Sequence, residues 1–455
     1  MNTALEPKIN MFNAIKQLSR TNRRIIASGV IGNLLENFDV MICAFLAQFI
    51  ALTFFPSNSL ENNIINTFSI FLIGYLSRPI GSLLIGLYAD QIGRKKTLIF
   101  SIIMVGVCTA IIGLIPSYQA IGIASTILFL FFRILQNFCV GGEYISSIAY
   151  LIENAEKKER GFYGSWVSVG FNAGSLLASL LVFILIYFIE KSVLPGWSWR
   201  VIFILAIFGT GIGLWIRKSL PESLEFILEN AHRPIQKKTD ILHSAIRLIQ
   251  NYPLRCLAII AIGWLGVGET TTLFIYSPIH MTTINHFSQS QAMGMNTLAL
   301  LFLIPLIPFF GFLSDLYGKI KLLAISTLAF CLLAIPYFIF LSTGSYLQIL
   351  IFKLLFCIPS ACYYSIAPVL ITESFPVGLR CTSLGLIYQI TASLAAGITP
   401  LTMLYIVNHC HGITFSPAYY LIGSCLLCFV GLRYLSSDKL IESNLSNKSI
   451  IIESV

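Results

Sequence analysis

"GLYADQIGRKK", residues 86–96, and "GFLSDLYGKIK", residues 311–321, share one skeleton at a distance of 225 positions. Gly86, Asp90, Gly93, Arg94 and Lys96 recur as Gly311, Asp315, Gly318, Lys319 and Lys321. Farther along, Arg133, Glu153 and Arg160 recur as Lys353, Glu373 and Arg380, displaced by 220. Eight matches in one order, at a nearly constant offset, mark a duplicated unit. Each copy of the charged turn lies between long apolar runs, which decides where such a turn can sit.

The chain of 455 residues is 56% hydrophobic and only 11% charged, against roughly 25% charged in ordinary soluble domains. One water-soluble core could not hide so much apolar surface, so the implied solvent is a bilayer. The first 24 residues are polar and basic, without the early apolar run of a secretory signal, and read as a cytoplasmic N-terminal segment. The net charge of +9 comes from cations scattered in short segments between apolar runs, a pattern that argues against nucleic acid as a partner. Eleven cysteines stand singly without zinc spacing, and "HCH" at 409–411 reads as a loop, so neither metal nor disulfide is expected. No phosphate loop or nucleophile–base pair appears either, and the chain is expected not to be an enzyme and to need no cofactor.

A helical span needs about 20 apolar residues. Such runs fall near 25–52, 64–87, 97–116, 121–151, 162–189 and 199–217, then near 254–280, 291–313, 321–341, 346–371, 382–407 and 416–436. The expected fold is an all-α membrane protein of twelve transmembrane helices in two similar six-helix bundles, 25–217 and 254–436. A cytoplasmic linker, 218–253, joins them, and a cytoplasmic tail, 437–455, follows. With both termini inside, 24 of the 29 Lys and Arg fall in inner segments, and only Lys191 and Arg200 lie outside. That bias is the positive-inside pattern. Two similar bundles facing each other make a central cavity that can open to alternate sides.

In this frame the charged turn has a task. Its glycines permit close helix approach and a tight reversal. Its aspartate can accept hydrogen bonds from a helix N-terminus across the seam between the halves, or pair with a cation there. The gating set is Gly86, Asp90, Gly93, Arg94, Lys96, Glu153, Arg160, Asp315, Lys319, Glu373 and Arg380. A bare topology anchor is the competing reading.

Within the spans, Glu36, Asp39, Arg78, Arg133, Glu143, Glu269 and Lys353 would each cost about 2.5–3.5 kcal/mol or more facing lipid. They are expected to face protein or the cavity between the halves. Glu36 and Asp39, three apart, share a helix face and repel, which suits one of them to carry a proton. Arg78 neutralising the other is the rival reading. Glu269 is a second candidate for proton coupling, and Glu143 a further one. Arg133 and Gln136 can present a fork and an amide to a substrate carboxylate, with Arg78 beside them. Tyr276 and Tyr388 are expected to line the cavity, and Lys353 to snorkel outward or hold an outer gate. Pro278, Pro305, Pro308, Pro359, Pro368 and Pro400 are expected to bend second-half helices.

"GLYADQIGRKK" resembles the loop motif of the major facilitator superfamily, with Gln91 where that pattern has a cation. "GNLLENFDV" (32–40) is similar to the first-helix motif of its metabolite:proton symporter group, G-N-x-x-E-W-Y-D-F. Glu36 and Asp39 are retained there, while Asn37, Phe38 and Val40 depart. "SRPIGSLLIG" (77–86), "RILQNFCVGGE" (133–143), "ERGFYGS" (159–165) and "RKSLPES" (217–223) resemble the same group, Asn137 replacing a glycine. The resemblance implies a multi-pass protein of the bacterial inner membrane with the major facilitator fold. It implies symport of a small carboxylate or zwitterion, such as proline, betaine or an organic acid, driven by the proton gradient through alternating access. A monomer is expected, with the substrate, protons and lipid as partners. Proton-driven efflux and a non-transporting membrane sensor are the alternatives.

Overall fold

The computed structural model describes residues 20–56, 60–92, 94–140, 144, 147–148, 151–152, 155–219, 249–375, 385–409 and 415–437, excluding the side chains of 20–29, 60–61, 86–98, 215–219 and 408. The described structure is helical throughout. In the first half run α1 (Arg20–Phe45), α2 (Ala47–Phe54), α3 (Leu60–Ile92), α4 (Arg94–Leu114), α5 (Ile123–Cys139), α6 (Arg160–Glu190) and α7 (Arg200–Ser219). In the second run α8 (Pro253–Thr270), α9 (Ser277–Thr283), α10 (Gln289–Tyr317), α11 (Lys319–Thr343), α12 (Tyr346–Glu373), α13 (Gly385–His409) and α14 (Pro417–Ser437).

Among the described residues, nine helices are long and apolar enough to cross a membrane, and the bent pair α1–α2 makes a tenth. Ile99–Leu114 and Ile123–Cys139 are shorter apolar helices at the places of two further expected spans. Large apolar side chains such as Phe208, Leu332 and Val430 stand outward, two-thirds or more exposed. A solvent of hydrocarbon makes that arrangement favourable. Buried hydroxyls bond back to carbonyls one turn earlier, as Thr67, Thr109, Thr327 and Ser360 do, so few polar groups meet lipid unsatisfied.

Local chemistry sets the helix starts. Ser288 and Gln291 form a capping box at α10, and Ser345 with Gln348 forms one at α12. Pro253 opens α8, where its missing N–H is harmless. Gly318 separates α10 from α11 at φ +92°, a conformation that favours glycine. The expected single first span is instead broken at Leu46, α1 and α2 meeting at 58° with no proline or glycine at the joint. Between α8 and α9, Thr271–Tyr276 forms a π-helical segment just before Pro278.

The apolar core has two parts, one built mainly from first-half helices and one mainly from second-half helices. They meet along two seams, α6 against α10 and α3 against α13. At Gly161 an added Cβ would lie 2.2 Å from Ser314 Oγ, and at Gly311 it would lie 2.7 Å from Ser165 Oγ. Only glycine lets these two helices come so close.

Candidate functional site

At one end of the seam, the second copy of the charged turn meets the start of α6. The first amides of a helix have no intrahelical acceptor and carry the positive end of its dipole. Asp315 takes two of them: Gly161 N–H donates to Oδ1 and Phe162 N–H to Oδ2, each at 2.8 Å. Beside it, Lys319 Nζ bonds Glu373 Oε2 at 2.7 Å, and Arg160 Nη1 lies 3.6 Å from Glu373 Oε1. One carboxylate thus caps a helix of the other half, while the next binds a cation from each half. Of the first copy, the side chains of Gly86, Asp90, Gly93, Arg94 and Lys96 lie outside the described residues, as do Glu153, Arg380 and Glu143.

At the opposite end, polar side chains bridge the halves again. Gln48 of α2 accepts from Gln289 and donates to Thr282. Glu190, the last residue of α6, accepts from the Ser290 backbone N–H at 3.1 Å and from its hydroxyl. Ser179 and Thr297 pair at 2.9 Å between α6 and α10. A small pocket lies here between the halves, lined by Phe45, Gln48, Phe274, Ile279 and Met293 among others. Nothing in the sequence marked Gln48 or Glu190, which are ordinary polar residues at helix ends.

Between the two ends the seam is aromatic and cationic. Arg78 of α3 lies 4.6 Å over the Tyr75 ring, and its Nε donates to Asn137 Oδ1 at 2.8 Å. Its Nη2 is buried without a hydrogen-bond partner among the described residues. Tyr388 of α13 lies within electrostatic reach of the same guanidinium, as does Glu36. The Tyr388 ring stacks on Tyr144 of the first half, with centroids 5.7 Å apart. Tyr144 hydroxyl pairs with Ser168 at 3.1 Å, and Ser168 donates to the Tyr364 carbonyl at 2.7 Å. Tyr388 therefore sits at the seam. Tyr144 escaped the sequence reading, although Tyr364 stands 220 positions on, at the offset of Arg133 and Lys353.

Arg133 occupies a different place. It is fully buried inside the first half, 4.7 Å over the Phe71 ring, and Nη1 donates to Gln136 Oε1 at 2.6 Å. Gln136 in turn donates to Thr109 Oγ1 at 2.7 Å, so its amide is occupied by protein. Arg133 forms no ion pair among the described residues, and its Nε and Nη2 have no hydrogen-bond partner there. Glu36 and Asp39 share a face as expected. The pocket they line is walled by first-half residues such as Leu35, Ile85, Ser101, Val105, Cys139 and Thr210. Of the two expected surroundings, protein or the cavity between the halves, this pocket gives them the protein of their own bundle.

Two second-half residues also depart from expectation. Lys353 neither snorkels nor reaches an outer surface. It is wholly buried, with Nζ donating to Asn296 Oδ1 at 3.0 Å, because its face of α12 turns into the bundle while Ile351 and Leu355 face outward. Tyr276 packs inside the second half rather than at the seam, bonded to His280 Nδ1 at 3.1 Å and set against Phe338. Glu269 is wholly buried too, accepting from Ser360 at 2.8 Å, with the Tyr364 hydroxyl close by.

Comparison with known proteins agrees with this architecture. A family model described as "Sugar (and other) transporter" matches residues 25–243, and the Major Facilitator Superfamily model matches residues 258–449. A Staphylococcus haemolyticus protein named for proline/betaine transport is 31% identical over 417 residues, covering 91% of this chain and 88% of its own. The Shikimate transporter of Escherichia coli is 28% identical, with 90% and 93% covered. The Dickeya dadantii transporter OusA, named for glycine betaine, proline, ectoine and pipecolic acid, is 29% identical, with 88% and 80% covered. Among solved structures, the proton:xylose symporter XylE superposes with a TM-score of 0.71 at 17% identity, over 91% of this chain and 95% of that one. At such identity the likeness speaks for the fold alone. The family models across both halves and a relative 31% identical along nearly its whole length agree: this all-helical membrane protein belongs to the major facilitator superfamily of transporters, among its sugar and metabolite members, and is not an enzyme.

Proposed function

We propose that this protein is a proton-coupled symporter importing a small zwitterion or carboxylate, of the proline and betaine kind, across a bacterial inner membrane. The observation that carries the reading is Arg78. A buried guanidinium with an open Nη2 stands at the seam between the halves, with the stacked Tyr144–Tyr388 rings nearby. A guanidinium fork suits a carboxylate, and aromatic faces suit an ammonium group. The relatives' names, for proline, betaine, ectoine, pipecolic acid and shikimate, fit a carboxylate-bearing substrate.

In this reading twelve spans form two bundles, 25–217 and 254–436, joined by the linker 218–253, with both termini cytoplasmic as the cation distribution supports. The Asp315 latch is then the cytoplasmic gate, and the Gln48 and Glu190 contacts are the outer one. Asp39 and Glu36 take up the coupling proton in their own pocket. Substrate bridging Arg78 and the second-half tyrosines draws the halves together, so that protonation and binding jointly favour exchange between the two open states.

Purified full-length protein in proteoliposomes tests this with radiolabelled L-proline and glycine betaine. Accumulation should follow an imposed inward proton gradient and collapse with a protonophore. Uptake indifferent to the gradient would remove proton coupling, and loading only against an opposite gradient would replace symport by antiport.

A further inference from the structure

The charged centre of the first half has a counterpart in the second that the mechanism above leaves idle. Arg133 and Lys353, 220 positions apart, hold matching places in their halves, and both are 0% exposed. Asp39 on α1 and Glu269 on α8 are buried carboxylates on the first helix of each half. An irregularity follows each acid within a few residues: the 58° bend after Phe45, and the π-helical segment Thr271–Tyr276. Single π-helical segments concentrate at functional sites. Each pair even has a cysteine within reach of both charges, Cys43 beside Asp39 and Arg133, Cys357 beside Glu269 and Lys353.

The second-half set is the more enclosed. Lys353 Nζ has only neutral partners, Asn296 Oδ1 at 3.0 Å and Ser277 Oγ at 3.5 Å, with the Phe274 ring 5.9 Å away. Glu269 Oε2 accepts from Ser360, whereas Oε1 is buried with no hydrogen-bond partner among the described residues. Ser360 stands seven residues beyond Lys353 on α12, roughly 10 Å along the axis at 1.5 Å per residue. Opposite charges so far apart relieve little of each other's burial cost, and a buried carboxylate with one oxygen unpartnered beside the hydroxyls of Ser360 and Tyr364 leaves room for a proton on that oxygen. The other titratable groups facing Glu269 are Cys357, Tyr363 and Tyr364 of α12 and Cys425 of α14. Around Lys353 they are Cys357 and, through the shared Ser277, Tyr337 of α11. A route to the seam exists as well. Tyr364 lies beside both Glu269 and Tyr144, and Tyr144 stacks on Tyr388.

We propose that Glu269 is a second proton-binding site, held within the second half, so that each half of the transporter carries one proton per cycle. The ligand is a proton. A metal cation is disfavoured because no group of three or more metal-ligating side chains forms there among the described residues, and substrate by the depth of the carboxylate within its own bundle. The proposal rests on the symport reading for its role in transport, though not for the binding of the proton.

Two measurements on the full-length protein decide it. In proteoliposomes, reversal potentials for L-proline flux should give two protons per proline in the wild type and one in Glu269→Gln. An unchanged ratio in that variant, a raised KM with the ratio intact, or sodium replacing the proton gradient would each overturn the proposal. Infrared spectra of the purified protein, compared between about pH 5 and about pH 9, should show a protonated-carboxyl carbonyl band that Glu269→Gln removes and Ser360→Ala shifts. A complete set of titrating bands in Glu269→Gln would overturn it. Should that variant not fold, the Ser360→Ala shift decides, and an unmoved band counts against the site. Should the wild type not carry proline, the symport reading fails while the infrared result still judges Glu269.

Discussion

Arg78 and Arg133 differ in where their guanidinium groups lie: Arg78 within reach of Tyr388 of the second half, Arg133 wholly buried inside the first. Arg78 spends one donor on Asn137 and leaves Nη2 without a hydrogen-bond partner among the described residues. Arg133, whose Nε and Nη2 are likewise unpartnered there, lies under Phe71 and is tied to Gln136, away from the second half. Losing a charge-assisted contact to a buried carboxylate costs about 2–5 kcal/mol. Arg78→Ala should therefore lower kcat/KM for proline uptake about thirtyfold or more, with the protein still folded. Arg78→Lys should recover only part of it, since an ammonium lacks the planar fork. Arg133→Ala should act chiefly on stability, costing about 1–3 kcal/mol by stripping Gln136 of a partner, and should lower Tm in detergent. Equal uptake by Arg78→Ala and wild type would move the carboxylate anchor elsewhere. The sequence singled out both arginines, because a charge inside an apolar run is conspicuous. It put Arg133 first, as the fork for a substrate carboxylate; which wall of the helix faces the seam depends on packing between helices far apart in the chain and is not written in either run.

At the scale of helices, the long apolar runs and the repeated turn announced nearly every element, down to Gly318 as the hinge of a tight reversal. The break at Leu46 and the π-helical segment at Thr271–Tyr276 left no trace in composition, having no proline or glycine at the first and only Pro278 beyond the second. In the second copy of the turn, Asp315 holds the first amides of α6; the matching Asp90, for which a helix cap or a cation pair is expected, lies outside the described side chains. A full charge at that terminus contributes about 1–2 kcal/mol, so Asp315→Asn should favour separation at this end by about five- to thirtyfold. A cysteine at Ser165, itself 0% exposed against Gly311, reports it through faster modification by a thiol reagent. Unchanged labelling would reduce Asp315 to a topology anchor. A packing control lies within the first half, where a Cβ at Gly81 would come 1.8 Å from the Phe138 carbonyl oxygen. Gly81→Ala should cost about 1–3 kcal/mol through forced separation of α3 and α5, seen as a lower Tm without a change in proton dependence.

For the whole molecule, the decisive feature is that the two halves touch at both ends and in the middle through different chemistry. Charge and helix capping hold the Asp315 end, aromatic stacking holds the centre, and neutral amides and hydroxyls hold much of the Gln48 end. Alternating access requires that one end open while the other stays shut, and α6 against α10 runs along the seam between them. Ser179 and Thr297 face each other across this seam with hydroxyls 2.9 Å apart, a spacing that suits the roughly 3.5–4.5 Å Cβ separation of a disulfide. The double variant Ser179→Cys/Thr297→Cys should cross-link under mild oxidant, joining the halves covalently. Uptake of labelled proline should then fall to background and return with reductant, while each single variant transports under both conditions. A quantitatively cross-linked protein that still accumulated proline would show that α6 and α10 stay together throughout the cycle, and that opening at this end proceeds along the other seam, α3 against α13.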